Sequence, residues 1–185
     1  MSNIGVVIPS IQRDSLQATF LSCAGANHVE IVDDSVSLRG ACGHPARNEG
    51  IDRTTTEYVC SIDDDDVYVP GAFNLIRAAI RDNPGAGWFI FRMVGGPGSH
   101  FNGVTVPVLG HVLRLGNVGT PMMVWRNCAA RFGMRSTDEQ GRDFGAGYFG
   151  DWEMAKALQA EYGDPVWINE TICVVRPQAK AESLV

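Results

Sequence analysis

The chain has no apolar run approaching a membrane span, no stretch of clustered Lys and Arg, and no closely spaced pair of cysteines. Each absence removes a class of protein. A bilayer-crossing helix needs about 20 consecutive apolar residues, so no such helix is predicted. Duplex nucleic acid and anionic membrane surfaces are bound through concentrated positive charge, and with a net charge of −6 both are disfavoured as partners. The five cysteines, Cys23, Cys42, Cys60, Cys128 and Cys173, are odd in number and scattered. Three of them fall in runs that read as core, which speaks against a disulfide framework or a zinc pattern. With no signal peptide in the sequence, this predicts a reducing, cytoplasmic setting. Histidine is scarce as well: His28, His44, His100 and His111 show no ligand spacing. Internal repeats, long linkers and low-complexity segments are also missing.

What is present is the material of one domain. Hydrophobic residues make up 45% of the 185 positions and charged residues 19%, enough apolar surface for a real core. The 21 glycines imply several tight turns or loops close to a ligand.

The first half alternates. Ile4 to Pro9 is a continuous apolar run, expected of a strand buried on both faces. Ser10 to Arg13 form a loop, and Asp14 or Ser15 can cap a helix with Leu16, Phe20, Leu21 and Ala24 on one face. A second strand, Val29 to Val32, ends in Asp33-Asp34-Ser35. Ser37 to His44 is a Gly-rich loop, and a helix runs from Pro45 to about Thr54. A third strand, Tyr58 to Ile62, ends in Asp63-Asp64-Asp65-Asp66, and Pro70 opens a helix with Phe73, Ile76 and Ile80 on one stripe. Strand, helix, strand, helix, strand, helix with short connections predicts a mostly parallel α/β sheet flanked by helices. Ligands of such sheets bind beyond the carboxyl ends of the strands. Both aspartate groups fall there.

The second half is less regular. Trp88 to Arg92 reads as a strand, Gly95 to Gly98 as a loop, and Val104 to Val108 with His111 to Leu115 as a pair of strands. Met122 to Trp125 is apolar, a short helix is expected from Arg126 to Phe132, and Ser136 to Tyr148 is read as a mobile loop. A helix from Asp151 places Trp152, Ala155, Leu158 and Tyr162 inward. Val166 to Ile168 and Ile172 to Val175 close the sheet, with a frayed tail from Gln178.

Four adjacent carboxylates are costly when held in place. Two unit charges about 5 Å apart at an effective dielectric of about 20 repel by roughly 3 kcal/mol. The cluster therefore needs a cation, positive side chains or raised pKa values. If all four were paired with Arg or Lys they would be structural. If not, they are either an acidic, solvated turn or a divalent-metal site that holds a ligand's phosphates.

Four stretches in order give the chain a resemblance to glycosyltransferases of the GT-A fold, most similar to family 2 of the nucleotide-sugar transferases. They are Val6-Val7-Ile8-Pro9-Ser10, Glu30 to Ser35, Ala46-Arg47-Asn48-Glu49-Gly50-Ile51 followed by Glu57-Tyr58-Val59, and Ser61 to Pro70, which resembles the family's Asp-x-Asp motif. Gly150-Asp151-Trp152-Glu153 is a fifth, weaker match. The resemblance implies a single Rossmann-like GT-A domain. Residues 1–85 would form its nucleotide-binding half, 86–177 its acceptor-side half and 178–185 a tail.

It implies a donor-binding set of Pro9, Asp34, Arg47, Asp63 and Asp64. Asp34 would face the base, typically uracil, and Arg47 the base or diphosphate. Asp65 and Asp63 would hold Mn2+ or Mg2+, the hard ions that oxygen ligands favour. If strand geometry persists, alternation places Asp63 and Asp65 on one side and turns Asp64 away, while Asp66 is placed to cap the helix at Pro70. Asp151 would be the general base for an inverting transfer to an acceptor hydroxyl, or else only a helix cap, with Glu153 as the fallback. Many relatives add a late His or acidic metal ligand, yet no histidine follows His111. His111 is a candidate acceptor-site group, and core packing is expected of Trp125, Trp152 and Trp167. The acceptor stays open among saccharide, protein, small molecule and modified nucleic-acid base. Two other functions stay open: a sugar nucleotidyltransferase, which would want a Gly-rich phosphate loop after the first strand, and a non-catalytic nucleotide-binding module of the same fold.

Overall fold

A computed structural model describes residues 2–35, 41–97, 99, 102–108, 110–138, 140–145 and 147–177. Residues 37–40 of the predicted Ser37–His44 loop and the tail from Gln178 lie outside the described residues. The core is a sheet with strand order β2-β1-β3-β7-β5-β8-β4 and a two-residue β6 beside β5. The strands are β1 (Ile4–Ser10), β2 (His28–Asp33), β3 (Tyr58–Ser61), β4 (Val67–Tyr68), β5 (Trp88–Gly95), β6 (Thr105–Val106), β7 (Met123–Arg126) and β8 (Val166–Val175). The helices are α1 (Leu16–Ser22), α2 (His44–Arg53), α3 (Ala72–Asp82) and α4 (Gly150–Tyr162).

β1 pairs in parallel with β2 and β3, and β5 in parallel with β8. β7 is inserted antiparallel between β3 and β5, and β4 closes the far edge antiparallel to β8. The sheet is therefore mixed: five strands share one direction, as expected, and β7, β4 and β6 run against them. The reversal comes from the second half, where β7 is reached from β5 through β6 and irregular chain and not through a helical crossover. β1, β2, β3, β5 and β8 still run one way, so their carboxyl ends share one edge. Every residue of β1 is buried, as its unbroken apolar run requires.

Local departures have local causes. α1 turns Thr19 and Cys23 inward and leaves Phe20 and Leu21 exposed, the reverse of its apolar stripe. The Thr19 hydroxyl donates to the Asp66 carbonyl at 2.7 Å, which fixes the helix's rotation. α3 starts at Ala72 behind a left-handed Gly71 (φ 84°), not at Pro70, and Asp66 does not cap it. The second strand of the expected hairpin is not formed: 111–115 is a loop whose carbonyls at Gly110 and Val112 accept from the Asn117 amide. The expected 126–132 helix is extended chain instead, bracketed by Asn48, whose side chain bonds both N–H and C=O of Phe132. Ser136 to Tyr148 includes a bridge between Thr137 and Asp143. The two closing strands form one continuous β8, with register shifts against β5.

Candidate active site

The strand at β3 stops at Ser61, and the chain turns: the Asp66 N–H donates to the Asp63 carbonyl at 3.1 Å. This turn, and not strand alternation, sorts the four aspartates. It gathers one carboxylate oxygen each from Asp63, Asp65 and Asp66 within 4.8 Å of one another. It sends Asp64 the other way, into β1. There the fully buried Asp64 carboxylate accepts from the Ser10 hydroxyl (2.9 Å), the Ile11 N–H (3.0 Å) and the Arg13 guanidinium. Asp64 borders the crevice, but its oxygens are engaged in pinning the loop after β1.

The others are compensated too. Asp63 pairs with Arg47. Asp65 lies 3.3 Å from Arg176 Nε and 3.8 Å from Arg13 Nη1. Asp66 accepts the Arg176 backbone N–H at 2.8 Å. Burial pushes the Asp66 carboxyl up to about 8, with Asp63 and Asp65 adding repulsion and Arg176 opposing. Asp63 is also raised, first by desolvation and then by Asp65, Asp151 and Asp64 against Arg47. Its side chain lines the crevice and keeps 42% of its surface. Positive side chains and raised pKa values thus meet the repulsion, and the repulsion alone does not require a metal. Asp64 meets the condition for a structural carboxylate. The Asp63, Asp65 and Asp66 oxygens are a hard donor set that fits Mg2+ or Mn2+, and such an ion would compete with Arg176 and Arg13 for Asp65.

Arg47, in the first turns of α2, is buried and contacts several groups at once. Besides Asp63 it bonds the Cys42 carbonyl and His44 Nδ1 (3.0 Å) and lies over the Phe132 ring at 5.6 Å. His44 stacks on Phe132 with centroids 5.0 Å apart, and its Nε2 lies 2.9 Å from the Gly147 carbonyl. That carbonyl can only accept, so Nε2 carries the hydrogen and Nδ1 accepts from Arg47. Desolvation, and then the charge of Arg47, lower the His44 pKa to about 4 and keep the ring neutral.

An open crevice of about 580 Å³ lies at the carboxyl ends of β1, β2, β3 and β8, and Arg47, expected in the donor-binding set, is buried behind its wall and reaches it only through Asp63. Pro9, Asp34, Asp63, Asp64, Asp65, Arg13 and Arg176 are in its wall. Asp34 is buried at the end of β2, its N–H donating to the Ser10 carbonyl at 2.7 Å. A second crevice of about 690 Å³ adjoins it, with Phe144 common to both. Asp151 and Trp152 line the second, beside a cluster in which Phe144 stacks on Tyr148 at 4.9 Å and meets Phe149 edge-on.

Asp151 does not cap α4, whose N-cap position is Phe149 with no side-chain cap bond. Its carboxylate instead accepts from the Thr120 N–H (3.1 Å) and hydroxyl. Its charge reaches Asp63, His44 and Cys42 across the site. Glu153 turns away to Arg135, 3.3 Å distant. His111 stacks on Trp167 at the start of β8, far along that strand from Arg176, and joins neither crevice. Trp125 is fully buried in the core, while Trp152 is half-buried in the second crevice wall.

Arg13, Arg176 and Thr120 were not singled out as site residues in the sequence. The signal was position: Arg13 and Arg176 each follow a strand's carboxyl end closely.

No protein-family model and no curated protein sequence matches the chain. Solved structures do. TarS 1–349 of S. aureus in complex with UDP-GlcNAc aligns with a TM-score of 0.69 at 14% identity, covering 98% of this chain and 59% of that one. TarS 1–349 alone gives 0.67 at 14%, covering 94% and 60%. The fold is GT-A. At this identity the likeness is one of fold, and the chain spans about three-fifths of the TarS 1–349 length it matches. These neighbours are glycosyltransferases. Among the described residues no helix is long and apolar enough to cross a membrane.

Proposed function

We propose that the chain is a metal-dependent, inverting glycosyltransferase that moves a sugar from a nucleotide-sugar donor to an acceptor hydroxyl. The observation that carries this is the pairing of crevices. The GT-A fold brings Pro9, Asp34, Asp63 and Asp65 into one crevice at the strand ends, and Asp151 into its neighbour across Phe144. TarS binds UDP-GlcNAc, which supports a UDP-linked donor here. Residues 1–85 supply most of the donor side and 86–177 the acceptor side, although Phe144 and Arg176 cross over to the donor crevice.

In this reading Asp34 receives the base at the end of β2, and Asp63 and Asp65 face the ribose and diphosphate. Asp63, Asp65 and Asp66 would hold Mn2+ or Mg2+, which when bound neutralises charge on the departing diphosphate. The acceptor hydroxyl attacks the anomeric carbon from the face opposite the diphosphate. A carbon–oxygen bond forms, the anomeric bond to phosphate breaks with its electron pair leaving on the phosphate oxygen, and the hydroxyl proton passes to Asp151. Thr120 holds that carboxylate in orientation. One displacement inverts the anomeric centre.

The test is a panel of nucleotide sugars with Mn2+, read by donor binding and hydrolysis. A UDP-sugar is expected to bind, and Asp65→Ala to abolish both readouts. If no donor binds with metal, and Asp65→Ala changes nothing, the proposal fails. One observation favours a second reading: the pairing of Asp63, Asp64 and Asp65 with arginine side chains suits a non-catalytic module. Donor binding without turnover on any acceptor would support that reading.

A further inference from the structure

The loop after β1 offers the donor crevice no backbone cradle for a diphosphate. In Rossmann-like folds phosphate commonly sits on free N–H groups of a Gly-rich loop at a helix N-terminus. Here the loop after β1 is Ser10-Ile11-Gln12-Arg13. The Ile11 N–H is taken by Asp64 and the Gln12 N–H by the Ser10 hydroxyl at 2.9 Å. The helix that follows, α1, has only seven residues. On the β1 side of the crevice, anion recognition falls to side chains.

Two arginines in the crevice wall have donors to give. Arg13 and Arg176 flank the two oxygens of the Asp65 carboxylate, Arg13 toward Oδ1 and Arg176 toward Oδ2. Arg13 spends Nη1 on Asp64 and Asp65, and Arg176 spends Nε on Asp65. Among the described residues, Nε and Nη2 of Arg13 and both Nη groups of Arg176 make no hydrogen bond, and the side chains keep 41% and 34% of their surface. The Arg176 backbone is left-handed (φ 49°), an uncommon conformation for a residue with a Cβ, and its N–H is fixed by Asp66. The late residue that reaches the aspartates in this chain thus brings positive charge, not a metal ligand.

We propose that Arg13 and Arg176 are a two-pronged clamp for the diphosphate of the donor, anchored through Asp64, Asp65 and Asp66. The clamp rests on the nucleotide-sugar reading above and adds to it a source of leaving-group neutralisation built into the chain. Guanidinium forks match phosphate oxygens in pairs. The aspartates hold each fork by one edge and leave the other open to the crevice.

The test measures affinity for UDP, GDP, ADP, CDP and dTDP with Mn2+ present, and for the nucleoside of whichever binds most tightly. It uses the wild type, Arg13→Gln, Arg176→Gln and Arg176→Lys, with Mn2+ alone as a control titration and a thermal melt to verify folding. Each Gln variant is expected to weaken the nucleoside diphosphate by ~10- to 100-fold. Nucleoside affinity should stay level and Mn2+ affinity level or tighter, with Arg176→Lys falling between. Unchanged diphosphate affinity in both Gln variants, or an equal loss for nucleoside and diphosphate, overturns the clamp and leaves the glycosyltransferase reading intact. If no nucleoside diphosphate binds the wild type with Mn2+, both fall together.

Discussion

Replacing Asp64 and Asp65 in turn by alanine separates scaffold from chemistry within one run of identical residues. Asp64 has no exposed surface and is the acceptor for the Ser10 hydroxyl, the Ile11 N–H and Arg13. Removing it leaves the buried Ser10 hydroxyl unsatisfied, at about 1–3 kcal/mol, and the Ile11 N–H, which is only part-buried, at about 1–2 kcal/mol. Arg13 is half-exposed and can rehydrate, so its loss adds little. The sum is about 2–5 kcal/mol, which for a domain of this size lowers Tm by on the order of 10 °C. Asp65 retains 16% of its side-chain surface and touches only two partly solvated arginines. Its removal costs about 1 kcal/mol or less and also relieves repulsion. Guanidinium and thermal unfolding of the two variants, alongside nucleotide binding, read the difference. Asp64→Ala should unfold early, whereas Asp65→Ala should be stable and lose metal-dependent donor binding. If Asp64→Ala is destabilised by less than about 1 kcal/mol, or if Asp65→Ala is the less stable of the two, the assignment of roles from burial and bonding is wrong.

Asp151→Asn is expected to lower turnover by ~10²–10⁴ with donor affinity unchanged; equal turnover would remove Asp151 as the base. Thr120→Val should reduce kcat by about 10-fold with a smaller effect on KM, because it removes one of the two donors orienting Asp151; a change confined to KM would contradict the positioning role. His44, whose folded pKa of about 4 lies below the ordinary 6.5, contributes stability that is full above pH 6.5 and is lost as pH falls toward 4, because only the unfolded chain takes up the proton there. The loss amounts to about 3 kcal/mol, and His44→Asn should flatten that part of the stability–pH curve. Gly50→Ala places a Cβ 2.4 Å from Val7 Cγ1 and 3.1 Å from Val32 Cγ2, so it should destabilise by about 1–3 kcal/mol as α2 is pushed off the sheet; an unchanged Tm would refute that tight fit.

The parts of this molecule legible in the sequence are those set by short-range pattern. β1, α1, β2, α2, β3 and α3 follow from apolar runs, turn residues and the Phe73, Ile76 and Ile80 stripe, all three buried as expected. Asp34 and Asp63 to Asp65 sit at strand ends in one crevice, where the α/β rule puts them. What was hidden depends on partners distant in sequence. The direction of β7 is set by pairing with β3 and β5, which no local period encodes. The rotation of α1 is decided by one bond from Thr19 across 47 positions. Asp151 looks like a helix cap in sequence because Asp commonly caps; only the placement of Thr120, 31 residues earlier, draws its carboxylate elsewhere. Arg176 is unremarkable in sequence, and its role follows from β8 ending beside β3's turn.

Gly147, His44, Arg47 and Asp63 form an unbroken series of polar contacts, from the loop that leads into α4 to the edge of the donor crevice. His44 is one spacer in that series and Arg47 the next, each held flat against Phe132 or over its ring. The gap between Asp151's helix and the aspartate turn is therefore gauged by rigid planar groups and not left to the slack of a hundred residues of intervening chain. Registration of the two sides is completed during folding, so a ligand that bridges them loses less entropy on arrival. It also means that the spacing is a single mechanical unit: shortening or removing either spacer shifts both sides together, even though neither spacer is in a crevice wall.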